Sequence, residues 1–169
     1  MGSSTDSLGS QLDDLDFAIL TQLQDDGRKS YTDIAKALGV SVGTVRNRIT
    51  RMVNDGTVRF ICRPDAHRVG FHTPANIKVS LRPSALIEQA AEMIATFPEV
   101  YYLALVAGEF DLDVDLMCRD QEHLSKLITE RLHKVPGVYA TSTSVILRTF
   151  KLSFPDLTLV KPGLKAPSE

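Results

Sequence analysis

The sequence predicts an α+β protein of two domains, and three observations support this prediction. Three short segments with helical spacing of apolar residues occupy the first third of the 169-residue chain. A strand-helix-strand-strand-helix-strand order follows from residue 74 onward. A connector that contains Pro, Gly and His, at residues 63–73, separates the two patterns. This length suits two small domains with modest cores.

The first two predicted helices are bounded by recognisable end signals. Residues 13–25 form the first helix, with acidic residues at its N-terminal end, where the helix dipole favours them, and Gly27 after its last turn. Ser30 caps a short second helix over residues 31–38, and Gly39 ends that helix. Residues 1–11 are predicted to be disordered because they are polar and small.

The third predicted helix lies within the stretch SVGTVRNRITRMVNDG at residues 41–56. Its apolar residues recur at helical spacing on one side, and polar residues occupy the other. A short turn containing Gly39 separates it from the second helix, which is the helix-turn-helix pattern. Residues 57–61 have the composition of a strand and are predicted to form a short β-wing. Residues 12–62 are therefore the predicted DNA-binding domain.

The N-terminal part of the third helix supplies the candidate DNA contacts, because that part of such a helix enters the major groove. Small residues there permit close approach, Arg46 and Asn47 are candidates to contact guanine and adenine, and three further arginines are candidates for phosphates. The predicted DNA-binding residues are Ser41, Gly43, Thr44, Arg46, Asn47, Arg48, Arg51 and Arg59. The alternative is an ordinary three-helix bundle with a solvated basic face.

The distribution of charge favours DNA binding over that alternative. The net charge of the chain is only −2, but residues 28–68 contain nine Lys or Arg and three Asp. Residues 1–27 contain six Asp and no basic residue. The basic segment therefore coincides with the predicted helix-turn-helix, and double-stranded DNA is the predicted partner.

The second domain, residues 74–150, is predicted to be ferredoxin-like. Its first strand alternates apolar and polar residues, whereas residues 100–107 are a continuous apolar run that predicts a strand covered on both sides. The last helix spans residues 120–133, and the last strand runs from residue 138 to about 149. The resulting βαββαβ order is the split βαβ arrangement. Residues 151–169, which contain three prolines, are predicted to be a loosely packed extension.

Other chemistries have little support in the sequence. Asp111, Asp113 and Asp115 share one strand face and could bind a cation, but ion pairs with Lys78 and Arg82 on the first strand are favoured. The two cysteines and four histidines lack ligand spacing, so no metal is predicted. No catalytic motif or phosphate loop occurs, which predicts a protein that is not an enzyme and needs no cofactor. The absence of a signal or membrane segment predicts a cytoplasmic protein.

Residues 12–150 resemble the Lrp/AsnC family of regulators, also called feast/famine regulatory proteins. The resemblance rests on LDDLDFAILTQLQDDGRKSYTDIAKALGVSVGTVRNRITRMVNDGTV, on VAGEFDLDVDL at residues 106–116 and on HKVPGVYATST at residues 133–143. It implies a transcriptional regulator with a winged helix-turn-helix and a ferredoxin-like effector domain. It also implies homodimers formed through the sheets, assembly into tetramers or octamers, and an amino acid or related small molecule as effector.

The resemblance also implies the effector residues: Gly108 and Asp111 in a turn, and Thr141 and Thr143 on the last strand. Gly108 would let a ligand carboxylate approach backbone N–H groups, and Asp111 would accept from its ammonium group. The alternative is a simple hairpin in which Gly108 supplies a positive φ.

Two other functions stay open, namely an architectural DNA-binding protein without an effector and an enzyme similar to siroheme decarboxylases.

Overall fold

The structure is a computed structural model, and it describes residues 12–161 and Gly163. The chain divides into two compact units, residues 63–151 on the one hand and residues 12–62 with the described residues from 152 onward on the other. The disorder predicted for residues 1–11 and the outermost part of the predicted extension lie outside the described residues.

Three helices build the first unit: α1 (Asp14–Asp25), α2 (Tyr31–Leu38) and α3 (Val42–Asn54). Each helix begins at a capping side chain, and the apolar face of each helix contributes to a common core. The fully or almost fully buried members of this core are Ile19, Ile34, Ala35, Val45, Ile49 and Met52. The three-helix arrangement predicted from the apolar spacing is confirmed.

The turn between α2 and α3 depends on Gly39, which has a left-handed conformation with φ 67° and ψ 31°. The N–H of Val40 donates to the carbonyl of Ala35 at 3.0 Å, which closes the end of α2. Ser41 follows directly as the N-cap of α3. Only two residues therefore separate the end cap of one helix from the first residue of the next, as in a helix-turn-helix.

The strand predicted over residues 57–61 is not formed, because this segment is irregular and belongs to no sheet of the described chain. Its start is held to α3, since the N–H of Val58 donates to the carbonyl of Met52 at 2.9 Å. Val58 also packs against the core of the first unit. A strand needs a paired neighbour, and the composition of the segment does not supply one.

The second unit contains a four-stranded sheet made of β1 (Thr73–Leu81), β2 (Val100–Leu105), β3 (Leu112–Cys118) and β4 (Val138–Val145). The strand order is β2-β3-β1-β4, and every neighbouring pair is antiparallel. This is the predicted ferredoxin-like order, in which β1 and β3 are neighbours. Alternate residues of β1 and β3, such as Ile77 and Val114, are fully buried in the core.

Two helices supply the other side of this core. The first, α4 (Ile87–Ala95), follows a 3-10 turn, and the second, α5, begins as an α-helix (Gln121–Lys126). Beyond Lys126 the α5 segment continues as a π-helical turn (Leu127–Arg131) and a 3-10 turn (Leu132–Lys134). The regular helix predicted over residues 120–133 is therefore correct in position but not in its hydrogen-bond pattern.

Residues 100–107 are not covered on both sides within the single chain, contrary to the prediction from the sequence. Strand β2 is an edge strand that ends at Leu105, and Tyr101, Tyr102 and Leu105 are each at least half exposed. Strand β4 is the other edge and ends at Val145, short of the predicted residue 149. A continuous apolar run shows that a strand has apolar surface, but it does not show which molecule covers that surface.

The sheet face opposite the helices carries a polar network between β1 and β3. The Nζ of Lys78 lies 2.8 Å from Oδ2 of Asp113, which confirms this predicted cross-strand ion pair. The hydrogen bonds from Lys78 and then Asn76 hold the pKa of the Asp113 carboxyl below its usual range. Asp115 accepts from Asn76 rather than from a cation. The pairing predicted for Arg82 is wrong, because its guanidinium lies over the ring of Tyr139, 4.5 Å from the centroid.

The described C-terminal residues return to the first unit and contact α1. The Nζ of Lys161 lies 2.7 Å from Oδ1 of Asp14, and the side chain of Gln24 donates to the carbonyl of Pro155 at 2.9 Å. None of the described helices is long and apolar enough to cross a membrane.

Candidate nucleic-acid interface and effector turn

Helix α3 presents different residues to its own core and to the outside. Val45, Ile49 and Met52 are buried against α1 and α2, whereas Arg46, Asn47 and Thr50 are exposed. The apolar stripe therefore fixes which side of the helix faces outward. Arg46 and Asn47, the two predicted base-contacting residues, are neighbours on this outer surface.

The first turn of α3 combines a capping hydroxyl with an unobstructed glycine. Ser41 Oγ accepts from the N–H of Thr44 at 3.0 Å and lies 2.8 Å from the Thr44 hydroxyl. A Cβ at Gly43 would meet only Ser41 Oγ, at an ordinary contact distance of 3.7 Å. The packing of this chain therefore does not require glycine at position 43. The lack of a side chain at Gly43 instead leaves the exposed backbone of the helix N-terminus open to an approaching molecule.

The predicted phosphate ligands Arg48 and Arg51 are bonded to carboxylates of α1. Arg51 Nη2 lies 2.6 Å from Asp16 Oδ2, and Arg48 Nη1 lies 3.1 Å from Asp16 Oδ1 and also contacts Asp13. Asp16 is fully buried, and Oδ2 of this residue also accepts from the N–H of Asp13. A contact between these arginines and phosphate stays a prediction, but both guanidiniums already have partners within the domain.

The hydrogen bond from Arg48 has an electrostatic consequence for its second partner. This hydrogen bond and, after it, the N–H of Asp16 lower the pKa of the Asp13 carboxyl from 3.8 to about 2. The same pairing raises the pKa of the Arg48 guanidinium. Both groups are therefore charged throughout the physiological pH range.

The remaining polar surface of α3 borders a shallow depression of about 550 Å³. It is lined by Asn47, Thr50, Arg51, Asn54 and Asp55. Arg59, the last predicted phosphate ligand, is exposed in the irregular segment after α3. The structure thus places Arg46 and Asn47 together on one open surface, with Arg59 on a separate segment of the same unit.

The predicted effector turn connects β2 to β3, and Gly108 lies on its open side. A Cβ at Gly108 would have no heavy atom within 4 Å. Gly108 does not have a positive φ, so the conformational reason given by the simple-hairpin alternative is wrong. The Asp111 carboxylate is already used within the fold, because its Oδ2 accepts from the N–H of Leu81 at 2.7 Å. It also retains oxygen lone pairs beyond this one bond.

The other two predicted effector residues lie on β4, on the opposite side of β1 from the turn. Thr141 is the cross-strand partner of Val79, while the N–H of Asp111 donates to the carbonyl of the same Val79. The hydroxyl of Thr141 lies 3.1 Å from Nε2 of His133, and Thr143 is exposed. Within one chain, β1 therefore lies between the turn and the threonines.

The sequence analysis did not identify Asp16 as the partner of Arg48 and Arg51. Acidic residues at the start of a helix are usually exposed and stabilised by the helix dipole, so nothing in the sequence distinguishes Asp13 and Asp16 from ordinary residues of a first turn. What distinguishes them is their pairing with two arginines that lie three residues apart on another helix. That pairing depends on how the helices pack.

No cluster of three or more potential metal ligands occurs among the residues described.

An exposed Arg/Asn surface on the third helix of a helix-turn-helix is the arrangement expected of a DNA-binding protein. Residues 12–59 match the family model for winged helix-turn-helix DNA-binding domains. Residues 75–155 match the model for the Lrp/AsnC ligand-binding domain. The chain belongs to the Lrp/AsnC family of transcriptional regulators. The family and the matched relatives are regulators, so the enzyme alternative is wrong.

Known proteins similar to this chain include archaeal and bacterial regulators. An uncharacterized HTH-type transcriptional regulator of Pyrococcus horikoshii is 35% identical over 145 residues, which cover 85% of this chain and 91% of the relative. The structure of E. coli AsnC is similar with a TM-score of 0.78 at 21% identity, over 85% of this chain and 97% of that one. The structure of a transcriptional regulator of Neisseria meningitidis in complex with L-Met is similar with a TM-score of 0.80 at 23% identity. The match covers 88% of this chain and 99% of that one.

Proposed function

We propose that this regulator binds specific DNA sequences and that an amino acid or related small metabolite changes its oligomeric state or its affinity for DNA. The exposed pair Arg46 and Asn47 on the anchored helix α3 carries the DNA-reading part of the proposal. Arginine and asparagine can each make two hydrogen bonds to a base in the major groove, to guanine and adenine respectively. Ser41, Gly43 and Thr44 allow the helix N-terminus to approach the DNA, and Arg59 contacts phosphate.

The experiment is a selection of bound fragments from genomic DNA, followed by titrations at several salt concentrations. We expect the selected fragments to share a two-fold symmetric motif, and Arg46→Ala and Asn47→Ala to weaken binding to this motif more than binding to unrelated DNA. Arg119→Ala is the matched control, because it removes an exposed positive charge from the second unit. Equal binding of all fragments, unaffected by either substitution in α3, would favour the architectural alternative.

The assembly is proposed to be a homodimer, with tetramers or octamers formed from dimers. The sheet face opposite the helices supports a dimer, because Tyr102 on β2 and Ala140 and Ser142 on β4 are exposed there. Two recognition helices held together by a dimer would bind a symmetric site far more tightly than one helix alone.

The proposed effector site includes Gly108 and Asp111 from one chain and Thr141 and Thr143 from another. Two observations support this division: Gly108 is open, and β1 separates the turn from the threonines within one chain. The related regulator of N. meningitidis was solved in complex with L-Met, which favours an amino acid as the ligand. A ligand bound between chains would act by favouring one arrangement of them over another.

A panel of the twenty amino acids tests the effector site, with binding measured by calorimetry and assembly by sedimentation. Gly108→Ala is the informative variant, because its methyl group meets no atom of the chain and should leave the fold intact. We expect it to weaken effector binding by blocking close approach to the backbone. Retained binding in Gly108→Ala, or no response to the whole panel, would contradict the proposed site.

A further inference from the structure

The structure assigns a positioning role to Asp16: this buried carboxylate holds Arg48 and Arg51 of α3 and thereby sets the orientation of the DNA-reading surface. We infer that the two arginines contribute to DNA binding through this orientation instead of through phosphate contacts. The inference rests on the proposed function, because it takes Arg46 and Asn47 as the base-contacting residues.

The burial of Asp16 is the first argument. Its side chain has no solvent exposure, whereas a lone buried carboxylate would be strongly destabilising. The three hydrogen bonds that compensate for this burial come from Arg51, from Arg48 and from the N–H of Asp13. Two of the three donors belong to α3, so a rotation of α3 that broke both bonds would leave this charge with only the N–H of Asp13 as a partner.

The spacing of the arginines is the second argument. Arg48 and Arg51 are one helical turn apart, and each contacts a different oxygen of the Asp16 carboxylate. Two contacts at different heights along α3 restrain its rotation and its translation along α1, which a single ion pair does not do. Arg46 and Asn47 lie on the same helix as the restrained pair, so their direction follows from it.

The restricted freedom of the two guanidiniums is the third argument. The side chain of Arg48 is 29% exposed and that of Arg51 36% exposed. The Nε of Arg51 is buried and has no hydrogen-bond partner among the described residues. An arginine that left Asp16 for a phosphate would leave the buried carboxylate with fewer partners, and the cost of that change opposes the exchange.

The test compares Asp16→Asn with the unaltered protein on the selected motif and on unrelated DNA. Simple electrostatics predicts that removal of a negative charge and release of two arginines strengthens binding to both DNAs. A positioning role predicts the opposite for the motif, with affinity at least tenfold weaker and a smaller ratio of specific to non-specific binding. Unchanged or stronger binding to the motif would overturn the inference.

Arg51→Gln provides a second test, because a phosphate contact and a positioning role predict different salt dependence of DNA binding. Loss of a phosphate contact reduces the slope of log affinity against log salt by about 0.9 and weakens all sequences alike. Loss of positioning leaves the slope unchanged and weakens binding to the motif selectively. A reduced slope with an unchanged specificity ratio would therefore show that Arg51 contacts phosphate, and it would overturn the inference.

Two controls separate the possible causes of a negative or ambiguous result. Ile19→Val removes a buried methyl group from the same core without a change of charge. If Ile19→Val loses as much specificity as Asp16→Asn, the effect is one of stability alone, and the inference is overturned. If Arg46→Ala and Asn47→Ala leave the sequence preference unchanged, the proposed function fails. If they abolish the preference but Asp16→Asn and Arg51→Gln do not, only the positioning role fails.

Discussion

At the scale of single residues, Gly43 provides a test of whether DNA approaches the start of α3. Glycine near the start of a helix is less stabilising than alanine, by up to about 1 kcal/mol, because it loses more backbone entropy on folding. The chain has room for a methyl group at this position. We therefore expect Gly43→Ala to raise the unfolding free energy slightly, measured by urea titration, while it weakens binding to the selected motif. A variant that gains stability and keeps full affinity would show that DNA does not approach this residue.

Asp13 gives a residue-scale prediction about pH. Its pKa in the folded protein is lowered to about 2, so its contribution to stability is complete above the ordinary value of 3.8 and is lost as the pH falls toward 2. We expect the carboxyl carbon of Asp13 to titrate near pH 2 in NMR spectra of the native protein. In Arg48→Gln, which lacks the principal donor, the titration should move up toward the ordinary value. A midpoint near 4 in the unaltered protein would contradict the ion pair with Arg48.

At the scale of secondary-structure elements, two glycines with positive φ allow a matched comparison. Gly39 has φ 67°, and a Cβ on this residue would have no heavy atom within 4 Å, so Gly39→Ala should lower stability by about 1–2 kcal/mol through backbone conformation alone. Gly137 has φ 88°, and its Cβ would lie 3.0 Å from Cδ1 of Leu86. Gly137→Ala should therefore lose about 1–3 kcal/mol more through overpacking. Urea unfolding monitored by hydrogen exchange measures the loss of stability in each unit. A larger loss for Gly39→Ala than for Gly137→Ala would contradict this prediction.

The order and type of most elements could be predicted from the sequence because they depend on local patterns. Alternation identified β1, and capping residues such as Ser30 and Ser41 identified the starts of α2 and α3. The failures involve partners that are distant in the sequence or belong to another molecule. Residues 57–61 lack a paired strand, and the apolar run in β2 is exposed in the single chain. For the same reason, the bonds of Arg48 and Arg51 to α1 could not be predicted from α3 alone.

At the scale of the whole molecule, the two sides of the sheet predict where the interface of the proposed dimer lies. Helices α4 and α5 cover one side, and the exposed Tyr102 lies on the other, where its neighbour in register is Asp115. A carboxylate at position 102 would repel Asp115 and would be buried without a partner in a dimer formed through this face. We expect Tyr102→Asp to shift the protein toward monomers in sedimentation experiments. Met93→Asp is the matched control, because it places the same charge on the exposed surface of α4. Dissociation caused by Met93→Asp, with Tyr102→Asp unaffected, would place the interface on the helical side instead.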